Sequence, residues 1–131
     1  MSSALLPDLA QARDEFLVTG DERLLPIVDA HHHLWHKPDH PYFLPDLLAD
    51  TGTGHNVVAT VFIECRAMYR ADGPPHLRPV GETEFVNGIA AMSASGQYGP
   101  TRVAAGIVGF ADLALRDAVE PVLEAHVRAG G

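Results

Sequence analysis

The stretch Val57-Val58-Ala59-Thr60-Val61-Phe62-Ile63 is apolar or β-branched throughout, with no polar residue on alternate positions. A strand with one wet face alternates. A run without alternation reads as a strand covered on both faces, which is the pattern of a parallel sheet. Two other apolar runs flank it in sequence, one opening at Pro26-Ile27-Val28 and one from Arg102 to Phe110. Helical patterns separate the three, so the order strand, helix, strand, helix, strand, helix predicts an α/β fold with parallel pairing and right-handed crossovers.

The helices are placed by their punctuation. Leu44 to Asp50 carries Pro45 in its first turn and closes at Thr51-Gly52-Thr53-Gly54. Thr83 to Ser93 puts Phe85, Ile89 and Met92 on one face. Ala114 to Ala129 puts Leu115, Val119, Val122 and Leu123 on one side and stops at Gly130-Gly131, with Pro121 predicting a kink or a late helix start. Ahead of the first strand, residues 7–18 form a leader helix with Leu9, Ala12 and Phe16 aligned, broken by Gly20-Asp21. The connection from Met68 to Pro79 exceeds the usual length, so it is either functional or mobile. Gly106 and Gly109 weaken the third strand, which points to close packing there.

The first strand runs into Asp29-Ala30-His31-His32-His33-Leu34-Trp35. Alternation sends Asp29, His31 and His33 to one side and Val28, Ala30 and His32 to the other. Imidazoles two residues apart, with Cα atoms about 6–7 Å apart, can converge on one divalent ion. A surface cluster without function would read the same from spacing alone. A tag remnant would not, because this run is internal and embedded in apolar sequence. Glu64 and Asp112 appear abruptly after the second and third apolar runs, where parallel sheets collect their chemistry, and are the candidate catalytic carboxylates. Glu64 and Arg66 also fit a solvated strand-end pair, and Tyr42 and Phe43 fit a simple cover over the sheet end.

Composition narrows the partners. A formal charge of −8, with Lys37 the only lysine and eight scattered arginines, offers no basic surface for nucleic acid or anionic lipid. The single cysteine, Cys65, excludes an internal disulfide and a cysteine-rich zinc module. Leu5-Leu6 is too short for a signal core, and no stretch reaches the roughly 20 apolar residues of a membrane span, so the expectation is a cytoplasmic chain with a small-molecule substrate.

Ile27 to Trp35 resembles the first-strand pattern of the amidohydrolase superfamily, specifically the amidohydrolase-2 branch of TIM-barrel metal-dependent hydrolases and sugar lactonases. That pattern is apolar residues, Asp, any residue, His, any residue, His, then an apolar and an aromatic residue. Ala105-Gly106-Ile107-Val108-Gly109-Phe110-Ala111-Asp112-Leu113 resembles the third-strand segment of the lactonase-like members. The similarity runs from about Pro26 to Gly131.

The resemblance implies the amino-terminal part, about three βα units, of a (β/α)8 barrel that typically needs about 250 residues. Residues 1–25 are then a leader and 26–131 a partial, truncated hydrolase domain. It also implies that His31 and His33 bind a divalent metal, zinc or manganese, that Asp29 orients one of them, and that further ligands sit on later strands. Some relatives use one metal or none. The implied chemistry is activated-water attack on a small cyclic ester (lactone) or amide. A related decarboxylase, or a non-catalytic half-barrel binding module, is the alternative. A chain of three units is expected to be inactive alone and to self-associate through unpaired sheet edges.

Overall fold

The computed structural model describes residues 9–131. Leu5-Leu6 and the first two residues of the expected leader helix lie outside that range. The described elements are α1 (Leu9–Thr19), β1 (Pro26–His32), α2 (Leu44–Thr51), β2 (Asn56–Ile63), α3 (Val80–Ala94), β3 (Arg102–Val108) and α4 (Glu120–Gly130), with 3-10 turns at Glu22–Leu24, Pro75–Leu77 and Leu113–Val119. The fold is mixed α/β: the three strands form one parallel sheet in the order β1-β2-β3. Among the described residues no helix is long and apolar enough to cross a membrane.

Several boundaries move for local reasons. Pro121 acts as a late helix start: α4 begins at Glu120 with the proline in its first turn, where the missing N–H costs nothing, and the preceding residues form the 3-10 turn. Leu115 and Val119 therefore lie outside the helix, and of its apolar residues only Val122 is buried, Leu123 being 46% exposed. Pro79 caps α3, so that helix starts three residues before Thr83. Its buried face is Val80 to Thr83, Val86 and Ser93; Phe85 and Ile89 pack partly against the core and Met92 is exposed. In α1 only Ala12 and Phe16 are half-buried, and none of its residues is fully buried. β3 ends at Val108 rather than Phe110.

The core gathers Leu34, Leu44, Leu47, Phe62, Val86, Val103 and Ala104 between the sheet and the helices α2 and α3. Burial of about 1.5–3 kcal/mol per large apolar side chain is what holds this layer together. The expected two-sided cover of β2 is not what residues 9–131 build. Thr60 and Phe62 are fully buried, whereas Val57, Val61 and Ile63 are only half-buried, and the strand residues Val28 and Val108 are 53% and 47% exposed. The run is apolar on both faces, but only one face meets a helical layer.

Register is irregular at two places that matter. In β1 the pairing skips between Asp29 and His32, and in β3 the partners of Ala59 and Val61 are Arg102 and Gly106. The second irregularity contains Ala104 at φ +51°, a left-handed residue within a strand. Its N–H is taken by the Thr60 hydroxyl at 2.9 Å instead of by a ladder carbonyl.

Candidate functional site

The carboxyl ends of the three strands are laced together. His33 Nδ1 hydrogen-bonds the Ile63 carbonyl at 2.7 Å, and the Glu64 N–H donates to the Val108 carbonyl at 2.9 Å. His33 and Glu64 therefore stand at the same sheet edge, which parallel pairing requires. A carbonyl only accepts, so His33 carries its proton on Nδ1 and presents the lone pair of Nε2. Histidine ligands are commonly oriented by this kind of bond.

That lone pair meets a second imidazole. His31 Nε2 lies 3.2 Å from His33 Nε2, the rings 4.9 Å apart and nearly perpendicular. With Nε2 of His33 as the acceptor, the Nε2–H of His31 is the donor of this bond. Phe62 and Trp35 each lie 6.5 Å from the His33 ring and wall it.

The separation of the two nitrogens, that of a hydrogen bond, is also one that two ligands of a single metal ion can have. At a zinc–nitrogen distance of about 2.0–2.1 Å, tetrahedral ligands stand about 3.3 Å apart and octahedral neighbours roughly 3 Å. The observed 3.2 Å separation lies between these values. Among the described residues no third His, Cys, Asp or Glu completes a group with the pair.

His32 turns the opposite way. It is 6% exposed, its Nε2 lies 2.9 Å from the Thr60 hydroxyl, and its Nδ1 has no partner. Burial holds its pKa below the usual value, so it is neutral at physiological pH.

Asp29 does not orient an imidazole. Its carboxylate accepts the backbone N–H of His31 at 3.1 Å. The register shift after Asp29 breaks strict alternation, so the carboxylate folds back on its own strand, and the Ile63 carbonyl takes the role expected of it.

Glu64 is half-buried at the end of β2. Asp112 lies four residues past β3, exposed, with its carboxylate capping the 3-10 turn through the N–H of Ala114 at 2.9 Å. The loop after β1 folds over the mouth. Trp35 and Tyr42 pair through both backbone bonds and stack at 5.2 Å, Lys37 sits 4.7 Å from the Trp35 ring, and the Tyr42 hydroxyl donates to Asp50 at 2.6 Å. Phe43 packs against His36 and Phe85.

No protein-family model, curated protein or solved structure matches the chain.

Sequence reasoning missed three buried polar residues. Thr60 sits inside an apolar run, where a β-branched residue reads as packing. Thr83 bonds His126 at 2.8 Å, and His126 in turn bonds the Phe110 carbonyl at 2.8 Å, a link between α3, α4 and the β3 exit that spans 43 residues. Glu82 is 1% exposed and reaches the loop after β2. None of these carries a local sequence signal, because each is defined by a distant partner.

Proposed function

We propose that the chain contributes three βα units of a (β/α)8 metal-dependent hydrolase of the amidohydrolase-2 type, acting on a small cyclic ester or amide. The observation that carries this reading is the pair of Nε2 atoms at 3.2 Å with the Nδ1 of one of them fixed on a backbone carbonyl. The half-covered β2 and the open edges of β1 and β3 support the barrel, since a closed barrel has no bare edge. The same edges favour association with further copies of the chain.

In this reading His31 and His33 hold a zinc or manganese ion. The bound ion supplies carbonyl polarisation and a lowered pKa for its water. The Ile63 carbonyl keeps His33 in the one tautomer that offers Nε2. Glu64, next in sequence to that carbonyl, accepts a proton at the mouth. Trp35, stacked on Tyr42, walls the His33 ring, while His31 stays exposed to solvent. Asp112, engaged as a cap, shapes the loop after β3.

The test is metal binding by the full chain, read by the visible absorption of cobalt(II) and competition with zinc. His31→Ala and His33→Ala should each abolish the spectrum, and His32→Ala should leave it. Equal loss from all three, or no spectrum in the wild type, would remove the metal reading.

A further inference from the structure

The two edges of the sheet are not equivalent. β1 is blunted: Pro26 has no N–H, the His31 N–H is taken by the Asp29 carboxylate at 3.1 Å, and the pairing is irregular between Asp29 and His32. β3 is regular where it counts, since Gly106, Ile107 and Val108 pair in sequence with Val61, Phe62 and Ile63. The Val108 carbonyl takes the Glu64 N–H, so by alternation Val108 and Gly106 face β2. Ala105 and Ile107 therefore aim their N–H and C=O groups outward, and among the described residues no strand meets them.

A groove of about 640 Å³ follows this edge, between β3 from Arg102 to Ile107, Asn87 and Ala90 of α3, and Val127 and Gly130 of α4. The chain holds 17 Asp and Glu, yet none lines the groove. A net charge of −8 makes copies of the chain repel one another, and this groove adds no carboxylate to that repulsion. Beside it, Val127 and Leu123 stand one helical turn apart on α4, 73% and 46% exposed.

We propose that this edge pairs with the same edge of a second copy, antiparallel about a two-fold axis at Gly106. The pairing deepens the association of copies proposed above by naming its edge and polarity, and it does not involve the metal pair. An axis at Gly106 matches Ala105 of each copy with Ile107 of the other, so every outward N–H and C=O of the two residues is paired. The facing Gly106 residues then form the close, non-hydrogen-bonded pair, with Cα atoms about 4.5 Å apart, where the lack of side chains leaves room. The same register sets Arg102, which has no ion pair among the described residues, across from the partner's Phe110, a 38% exposed ring that suits a guanidinium. The two-fold also brings Leu123 and Val127 toward their own counterparts. A second copy thus covers both the strand edge and the apolar stripe, whereas an unrelated extended peptide covers only the edge.

Light scattering of the full chain over a concentration series should show a dimer that dissociates on dilution and grows no further. Ala105→Pro deletes an outward N–H and leaves the β2 ladder intact. Val127→Glu sets like charges against each other from an exposed helix position. Each should raise the dimer dissociation constant roughly tenfold or more. In a Cys65→Ser background, Gly106→Cys should form an intermolecular disulfide under mild oxidation, because the facing Cα atoms lie within bridging range. Arg102→Cys should not, since the register sets the two positions roughly 27 Å apart at about 3.4 Å per residue.

Should Ala105→Pro not fold, Val127→Glu and the cross-link carry the test. A monomer at every concentration, a dimer indifferent to Val127→Glu, or equal cross-linking at positions 102 and 106 overturns the pairing. Open-ended growth would mean head-to-tail contact and overturns it too. Cross-linking of Gly106→Cys should persist in His31→Ala, so the pairing and the metal reading stand or fall separately.

Discussion

The Thr60 hydroxyl accepts the backbone N–H of Ala104 at 2.9 Å and also meets His32 Nε2 at 2.9 Å, so one buried oxygen joins all three strands. Thr60→Val keeps the shape and deletes the oxygen. It should cost about 1–3 kcal/mol, because a buried N–H is left unpaired in a strained stretch of β3. Urea denaturation should show a lower midpoint with an unchanged slope, and Thr60→Ser should recover most of the loss. A neutral Thr60→Val would mean that Ala104 finds another acceptor.

Gly109 is the tightest point of the β3 exit against α4. A Cβ there would lie 2.8 Å from His126 Nδ1 and 3.1 Å from Thr83 Oγ1. Gly109→Ala should therefore break the Thr83–His126 bond and destabilise by about 1–3 kcal/mol. Gly106→Ala should be milder, since its Cβ would meet Val61 at an ordinary 3.5 Å. The two melting temperatures, measured side by side, check the ranking.

Tyr42 should make stability fall in strong base. Burial first, and then its hydrogen bond to Asp50, push its pKa far above the usual value of about 10. A folded-state pKa raised in this way gives stability that is complete below the unfolded pKa and is lost as pH rises from there through the folded value. Tyr42→Phe should lower stability at neutral pH and remove that component of the alkaline decline. Thermal melts from pH 8 to 11 decide it; parallel profiles for the two proteins would contradict the assignment.

Cys65 should be a slow thiol. Burial, and next the nearby Glu82 charge, raise its pKa, so less thiolate is present at a given pH. Iodoacetamide labelling at pH 8 should run slower than for a free cysteine, and the reactive form should titrate upward of the ordinary value. Labelling as fast as a model thiol would show that burial and the Glu82 charge do not govern it.

How much of this was legible in the sequence depends on how far each signal reaches along the chain. The run 57–63 announces a strand by itself, and Pro121 announces a helix start by its missing N–H. His31 and His33 could be paired from a spacing of two. Asp29 could not be placed, because a register shift depends on β2, which begins 27 residues away. The start of α3 was obscured because Val80-Gly81 after a proline reads as a turn. Only the contact of Gly81 with Met68 and Arg70 explains the glycine. Glu82 reads as a solvated first-turn acid until its amides, 15 and 17 residues back, are brought to it.

The histidine triplet has a consequence for error during folding. Sliding β1 by one residue would bring His32 to the Ile63 carbonyl, and the chemistry of that contact would look unchanged, because three identical neighbours carry no positional information. The ambiguity is resolved by what flanks them. A slip would flip every side chain to the opposite face. His31 would replace His32 against Thr60, Ala30 would take the place of His31 in the pair, and His33 would be driven into the space of fully buried Leu34. The proofreading of this strand therefore resides in a leucine that lies outside the imidazole pair. A small polar residue in place of Leu34 would scramble the imidazole pair while leaving every histidine in place.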